Sequence, residues 1–134
     1  MTDRERSKVI AIDPGATCGV SIGVGSDIVG FYHLEADEFL QELWDALWTK
    51  DYQAYDRVVV ERFVPRRIDN DAQRTIEIIG AIKFICNGSA SGFAMVNAAD
   101  KKKTMPLVPD WINNAHARDA EAIRLWDLRY GTWI

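Results

Sequence analysis

Four apolar residues, Val9-Ile10-Ala11-Ile12, run directly into Asp13-Pro14-Gly15, and no other feature constrains the fold as tightly. An apolar run this short, halted by turn residues, reads as a buried strand. It closes on a carboxylate, which hydrophobic packing would not select there. Strand ends in α/β sheets lie at the rim where ligands sit, and a buried carboxylate needs a partner, commonly a cation. The plain alternative for Asp13 is a turn carboxylate in Asp-Pro-Gly.

Cys18 to Gly23 and Asp27 to His33 are two further short strands around a Gly-Val-Gly-Ser turn, so the chain begins as an antiparallel meander. From Asp37 the period becomes helical, with Phe39, Leu40, Leu43, Trp44, Leu47 and Trp48 on one stripe. Arg57-Val58-Val59-Val60-Glu61 is a second buried strand that ends in a carboxylate. Residues 70 to 86 form a helix with Ile76, Ile79, Ile82 and Ile85 on roughly one face, and Phe93 to Val96 give a fifth strand. Ala98 to Asn114, with two prolines and three lysines, reads as an irregular loop. Ala115 to Tyr130 is the last helix, stopped by Gly131. The order β-β-β-α-β-α-β-α predicts an α/β fold, a five-stranded mixed sheet flanked by helices.

The 134 residues suit one domain, 1–134. No apolar run is long enough to span a membrane, and the charged N-terminus lacks the apolar stretch of a signal peptide, so a soluble cytoplasmic protein is expected. Cys18 and Cys86 have no metal-ligand spacing and are expected as reduced thiols. The formal net charge of −4 argues at first against nucleic acid. Its distribution reverses that, because basic residues gather at Arg62, Arg66, Arg67 and Arg74, at Lys101, Lys102 and Lys103, and at Arg118, Arg124 and Arg129. Solvated charged faces would give the same pattern.

His116 and Asp119, at i and i+3, project from one face of the last helix's first turn. Three carboxylates and an imidazole, Asp13, Glu61, Asp119 and His116, can surround two divalent ions about 3.5 to 4 Å apart, the arrangement used for phosphodiester hydrolysis. Oxygen-rich sites favour Mg2+ or Mn2+. In that reading Asp13 bridges the ions, Glu61 and Asp119 take one each, and His116 is a ligand or a proton-transfer group. Plainer readings are a salt bridge from Glu61 to Arg62 or Arg57, a surface or capping role for His116, and a helix-dipole role for Asp119. His33, lone at a strand end, is read as structural.

Val9-Ile-Ala-Ile-Asp13-Pro-Gly15 with Gly19 after it, Val59-Val-Glu61-Arg-Phe63, and His116-Ala-Arg-Asp119-Ala120 resemble, in order, the three blocks of the RuvC family of Holliday junction resolvases. The resemblance implies a ribonuclease-H-like fold and a metal-dependent endonuclease, with Asp13, Glu61, His116 and Asp119 as the catalytic and metal-binding set. It implies a homodimer that binds four-way junctions or related branched DNA and nicks two strands symmetrically. Lys101-Lys102-Lys103-Thr104 is similar to the family's basic DNA-contacting motif. Phe63 stands where the family has an aromatic near the junction centre, a place for base stacking; a core Phe is the alternative. The segment before the last helix looks shorter than in cellular members, and the family's additional helix is not placed there. Compactness resembles a phage-encoded member, which would act in a bacterial host's cytoplasm.

Three rival readings share parts of this pattern. The actin-like ATPases need two lobes, for which 134 residues leave no room. A ribonuclease H acting on RNA:DNA hybrids would use a similar site, and a non-catalytic branched-DNA-binding protein with the same fold would not need the full acidic set. Trp44, Trp48, Trp126 and the 70–86 helix offer more apolar surface than a small core buries, which fits a homodimer.

Overall fold

A computed structural model describes residues 2–49 and 54–133. After a one-turn helix, α1 (Asp3–Arg6), the chain forms β1 (Lys8–Asp13), β2 (Thr17–Val24) and β3 (Asp27–Glu35). Helix α2 (Ala36–Trp44) continues into a π-helical turn, Asp45–Thr49, and β4 (Arg57–Arg62), α3 (Asn70–Cys86) and β5 (Gly92–Asn97) follow. Helix α4 (Ala98–Thr104), a 3-10 turn (Met105–Leu107) and α5 (Ala115–Tyr130) complete it. The sheet order is β3-β2-β1-β4-β5. β2 runs antiparallel to its neighbours β1 and β3, whereas β4 is parallel to β1 and to β5. This is the expected mixed five-stranded sheet flanked by helices.

Alternation along the strands divides the core in two. Ile10, Ile12, Val58 and Val60 face α2 and α3, where Phe39, Leu43, Ile78, Ile82 and Ile85 meet them. Val9, Ala11 and Val59 face the other way, against Ile123 of α5. Asp13 and Glu61 continue the second parity and so lie on the α5 side. On the same side β2 presents Gly19, Ser21 and Gly23, which have almost no bulk. A Cβ on Gly19 would stand 2.0 Å from the His116 carbonyl oxygen, and one on Gly23 would stand 2.3 Å from the Arg124 guanidinium carbon. These small residues let α5 lie tightly along β2.

Three expectations are corrected. Ala98–Thr104 is a helix, not loop: Asn97 stands at its N-cap, Ala98-Ala99 favour helix, and Pro106 falls only in the following 3-10 turn, where its missing N–H costs nothing. On α3 it is Ile78, Ile82 and Ile85 that are buried, while Ile76 is 41% exposed. Arg124 is not part of a basic surface. It is fully buried, with Nε and Nη2 donating to the Glu121 carboxylate at 2.7 and 2.9 Å and Nη1 to the Gly25 carbonyl. Ser21 donates to the same carboxylate at 2.7 Å.

Candidate active site

Asp13, the last residue of β1, pairs in register with Gly19 of β2, which pairs with His33 of β3. Glu61 reaches the same rim from β4. Because Gly19 carries no side chain, the first turn of α5 settles over it and carries His116 and Asp119 to the two carboxylates. Asn114 caps that turn, accepting from the Ala117 N–H at 3.0 Å, so Asp119 is not needed as a cap.

The three carboxylates gather around an unexpected cation. Lys101 of α4 places its Nζ 3.2 Å from Glu61 Oε2 and 3.8 Å from Asp119 Oδ1, with Lys101 and Glu61 side chains each only 13% exposed. His116 Nδ1 is 3.9 Å from Asp13 Oδ2, close enough for an ionic contact but too long for a hydrogen bond. Arg57, the other candidate partner of Glu61, instead bonds Asp127 of α5 at 2.7 and 2.9 Å.

The electrostatics follow from crowding. Burial is the first cause that pushes the Asp13 carboxyl up to about 8; a hydrogen bond with Glu61 and the charges of Asp119 and Glu61 add to it, and Lys101 opposes. Burial works against the charge on Lys101, but Glu61, Asp119 and Asp13 outweigh it and raise its pKa. One lysine thus partly offsets three carboxyl groups in a confined space.

Among the described residues no three His, Cys, Asp or Glu side chains stand close enough to enclose an ion as they are. The chemistry of the donor set nevertheless fits one. Three crowded carboxyl groups, one of them pushed up to about 8 chiefly by burial, make a hard, oxygen-rich site. Lys101 supplies a single charge there on a stem that can rotate.

The expected DNA-contacting residues divide. Arg62, Phe63, Arg66 and Arg67 lie exposed at the end of β4 and on the loop after it, with Phe63 37% exposed rather than in the core. The same loop exposes Val64 and Ile68. Arg74 bonds Asp37 at 3.0 Å and lines a cavity of about 360 Å³ together with Asp13, Thr75 and His116. Lys102 is exposed and Lys103 pairs with Asp100 at 3.1 Å, whereas Lys101 belongs to the carboxylate cluster. Arg118 bonds the Pro109 and Ile112 carbonyls, which holds the loop before α5. Reading the sequence by charge runs missed the separate role of Lys101, since three adjacent lysines on a helix necessarily point three ways.

His33, read from the sequence as structural, lies beside this cluster. Its ring stands 6.2 Å from that of His116 at 77°, and Asn114 Nδ2 bonds its Nδ1. Strand register puts it there, since Asp13, Gly19 and His33 share one row across the sheet.

No protein-family model matches the sequence, and the search of curated proteins gave no match. Solved structures do match. The structure "T. thermophilus RuvC in complex with Holliday junction substrate" superposes with a TM-score of 0.73 over 90% of this chain and 92% of that one, at 15% identity. "Thermus thermophilus RuvC structure" gives a TM-score of 0.65 over 93% of this chain and 97% of that chain, at 17% identity. Such similarity along almost the whole of both chains, at low identity, shows a common architecture: the chain has the fold of the RuvC Holliday junction resolvases.

Proposed function

We propose that the chain is a structure-specific endodeoxyribonuclease that resolves four-way junctions, or related branched DNA, by paired nicking. The observation that carries this reading is the convergence of Asp13, Glu61, His116 and Asp119 on one rim of a RuvC-like fold, around a partly compensated negative charge. The neighbouring structure's printed title, which names a Holliday junction substrate, supports the choice of DNA.

In this reading Asp13, Glu61 and Asp119 hold Mg2+, for which Mn2+ can substitute, with His116 as a further ligand or proton carrier. When bound, divalent metal supplies Lewis-acid polarisation of the phosphodiester and eases deprotonation of attacking water. The chain's own groups do the rest. Asp13, partly buried and central, sets the geometry between the β1 rim and α5. Lys101 neutralises Glu61 and Asp119 while the site is unloaded and, turned outward, is free to meet a phosphate. His116, half exposed and bonded to no described residue through its ring, is available to hold or pass a proton at Nδ1 or Nε2. Arg62, Arg66, Arg67 and Lys102 track phosphates, and Phe63, with Val64 beside it, offers a surface on which an unpaired base stacks.

Paired nicking requires two sites, hence a homodimer. Apolar surface for it exists on α2 and α3. Trp44 and Trp48 stack with centroids 5.5 Å apart yet stay 40% and 43% exposed, and Phe84 is 74% exposed. Trp48 Nε1 donates to the carbonyl of Ile85, which ties the exposed pair to the α3 end that carries Phe84. Exposed aromatic groups of this size mark interfaces.

The test is a cleavage panel with Mg2+ on four-way junction, flap, linear duplex and RNA:DNA hybrid. Preference for the junction or flap supports the proposal. Preference for the hybrid would make the protein a ribonuclease H, and binding of junctions with no cutting in Mg2+ or Mn2+ would make it a non-catalytic binder.

A further inference from the structure

We propose that His33 and Asn114 form a clamp that holds the His116 ring against Asp13, which makes His33 a positioning residue of the candidate site. The inference rests on the reading of His116 as a member of the metal-binding set.

The sheet's register provides the frame. Asp13, Gly19 and His33 occupy one row across β1, β2 and β3. Only the middle position lacks a side chain, and α5 enters there: the His116 backbone lies directly above Gly19. Its ring therefore stands between a carboxylate on one strand and an imidazole on another. It contacts the first at 3.9 Å and meets the second edge to face at a centroid distance of 6.2 Å.

Among the described residues the His116 ring makes no hydrogen bond, and half of its side chain is in solvent. A ring so placed would sample several rotamers. What limits it is His33, and His33 is itself held. Both ends of the Asn114 amide are used: Oδ1 accepts from the Ala117 N–H at 3.0 Å, and Nδ2 donates to Nδ1 of His33. A single side chain thus ties the N-terminus of α5 to β3 and fixes the wall against which His116 rests. Outer partners that orient a metal-binding imidazole commonly change metal affinity by about 10–100-fold when removed.

The experiment measures Mn2+ affinity by isothermal titration calorimetry, with the melting temperature of each metal-free protein alongside. Full-length wild type is compared with Asp13→Asn, His33→Leu and Asn114→Ser. Serine keeps an N-cap acceptor for Ala117 but is too short to reach β3, so this variant cuts the clamp while the helix stays capped. The expected result is that Asp13→Asn abolishes strong binding, and that His33→Leu and Asn114→Ser each weaken it about ten-fold or more with melting temperatures close to wild type. A role in fold stability alone would move the melting temperature and leave affinity unchanged. If Asp13→Asn loses Mn2+ while both clamp variants bind like wild type, the clamp is wrong and the site stands. If Asp13→Asn itself binds like wild type, the metal site fails and the clamp with it. Should His33→Leu not fold, Asn114→Ser decides the question by the same criteria.

Discussion

Gly19 lies beneath the backbone of His116, where an added Cβ would stand 2.0 Å from the carbonyl oxygen and 2.3 Å from the carbonyl carbon. Backbone cannot rotate out of the way as a side chain tip can. Gly19→Ala must therefore lift the first turn of α5 or push β2 from its neighbours. Overpacking of this kind costs about 1–3 kcal/mol, and the same shift moves His116 and Asp119 from Asp13. The expected outcome is a lower melting temperature together with a loss of nicking at temperatures where the variant remains folded. Wild-type rates in a folded Gly19→Ala protein would contradict the proposed site.

Asp13 provides a test in pH. Burial pushes its carboxyl from the ordinary 3.8 up to about 8 in the folded, metal-free chain. Between those values the folded state keeps a proton that the unfolded state has released, so stability falls as pH rises from about 4 to about 8 and Asp13 adds no slope above that. Asp13→Asn removes this contribution. Metal-free Asp13→Asn is expected to melt higher than wild type at pH 8 and above, with the difference shrinking toward pH 4. Thermal denaturation in a chelator across that range reads it directly. Added Mg2+ should stabilise wild type alone.

The Glu121–Arg124 pair makes an independent claim about the fold. Both side chains are 1% exposed, and Ser21 completes the carboxylate's partners. Glu121→Ala strands a buried guanidinium, at a cost of about 3–5 kcal/mol. Replacing both residues by apolar ones of similar volume is expected to recover much of that loss. Urea denaturation of the single and double variants measures the difference.

Both cysteines should be inert in the native protein. Burial pushes the Cys86 thiol up to about 12, and burial is also the leading cause that raises Cys18. The thiolate is the reactive form. A chromogenic disulfide reagent at pH 8 is expected to label neither cysteine quickly, and to label both at once after unfolding. Rapid labelling of native protein would show that the core around α2 and α3 opens readily.

The fold was legible because period and punctuation agree. Val9 to Ile12 and Val58 to Val60 are short apolar runs, and Ala115–Tyr130 is bounded by Asn114 and Gly131, whose signals are local. The helix at Ala98–Thr104 was not, since its lysines and the nearby Pro106 look like loop chemistry until the proline's place outside the helix is known. The carboxylates of the site could be named from strand ends and from helical spacing. Lys101 and His33 could not, because each enters through tertiary geometry: one by the angle at which α4 meets the sheet, the other by strand register across a glycine. Arg124 shows the same limit, for charge in a sequence does not reveal a buried partner three residues away.

If Asp13 organises metal-dependent cleavage of branched DNA, removing its charge must slow nicking without weakening junction binding. The decisive measurement is single-turnover nicking of a four-way junction in Mg2+ by wild type and by Asp13→Asn protein shown to bind the junction equally. Loss of several kcal/mol of charge stabilisation in the transition state is a slowing on the order of a thousand-fold or more. That slowing, with paired symmetrical nicks from wild type, is the expected result. An Asp13→Asn variant that nicks the junction at the wild-type rate would contradict it.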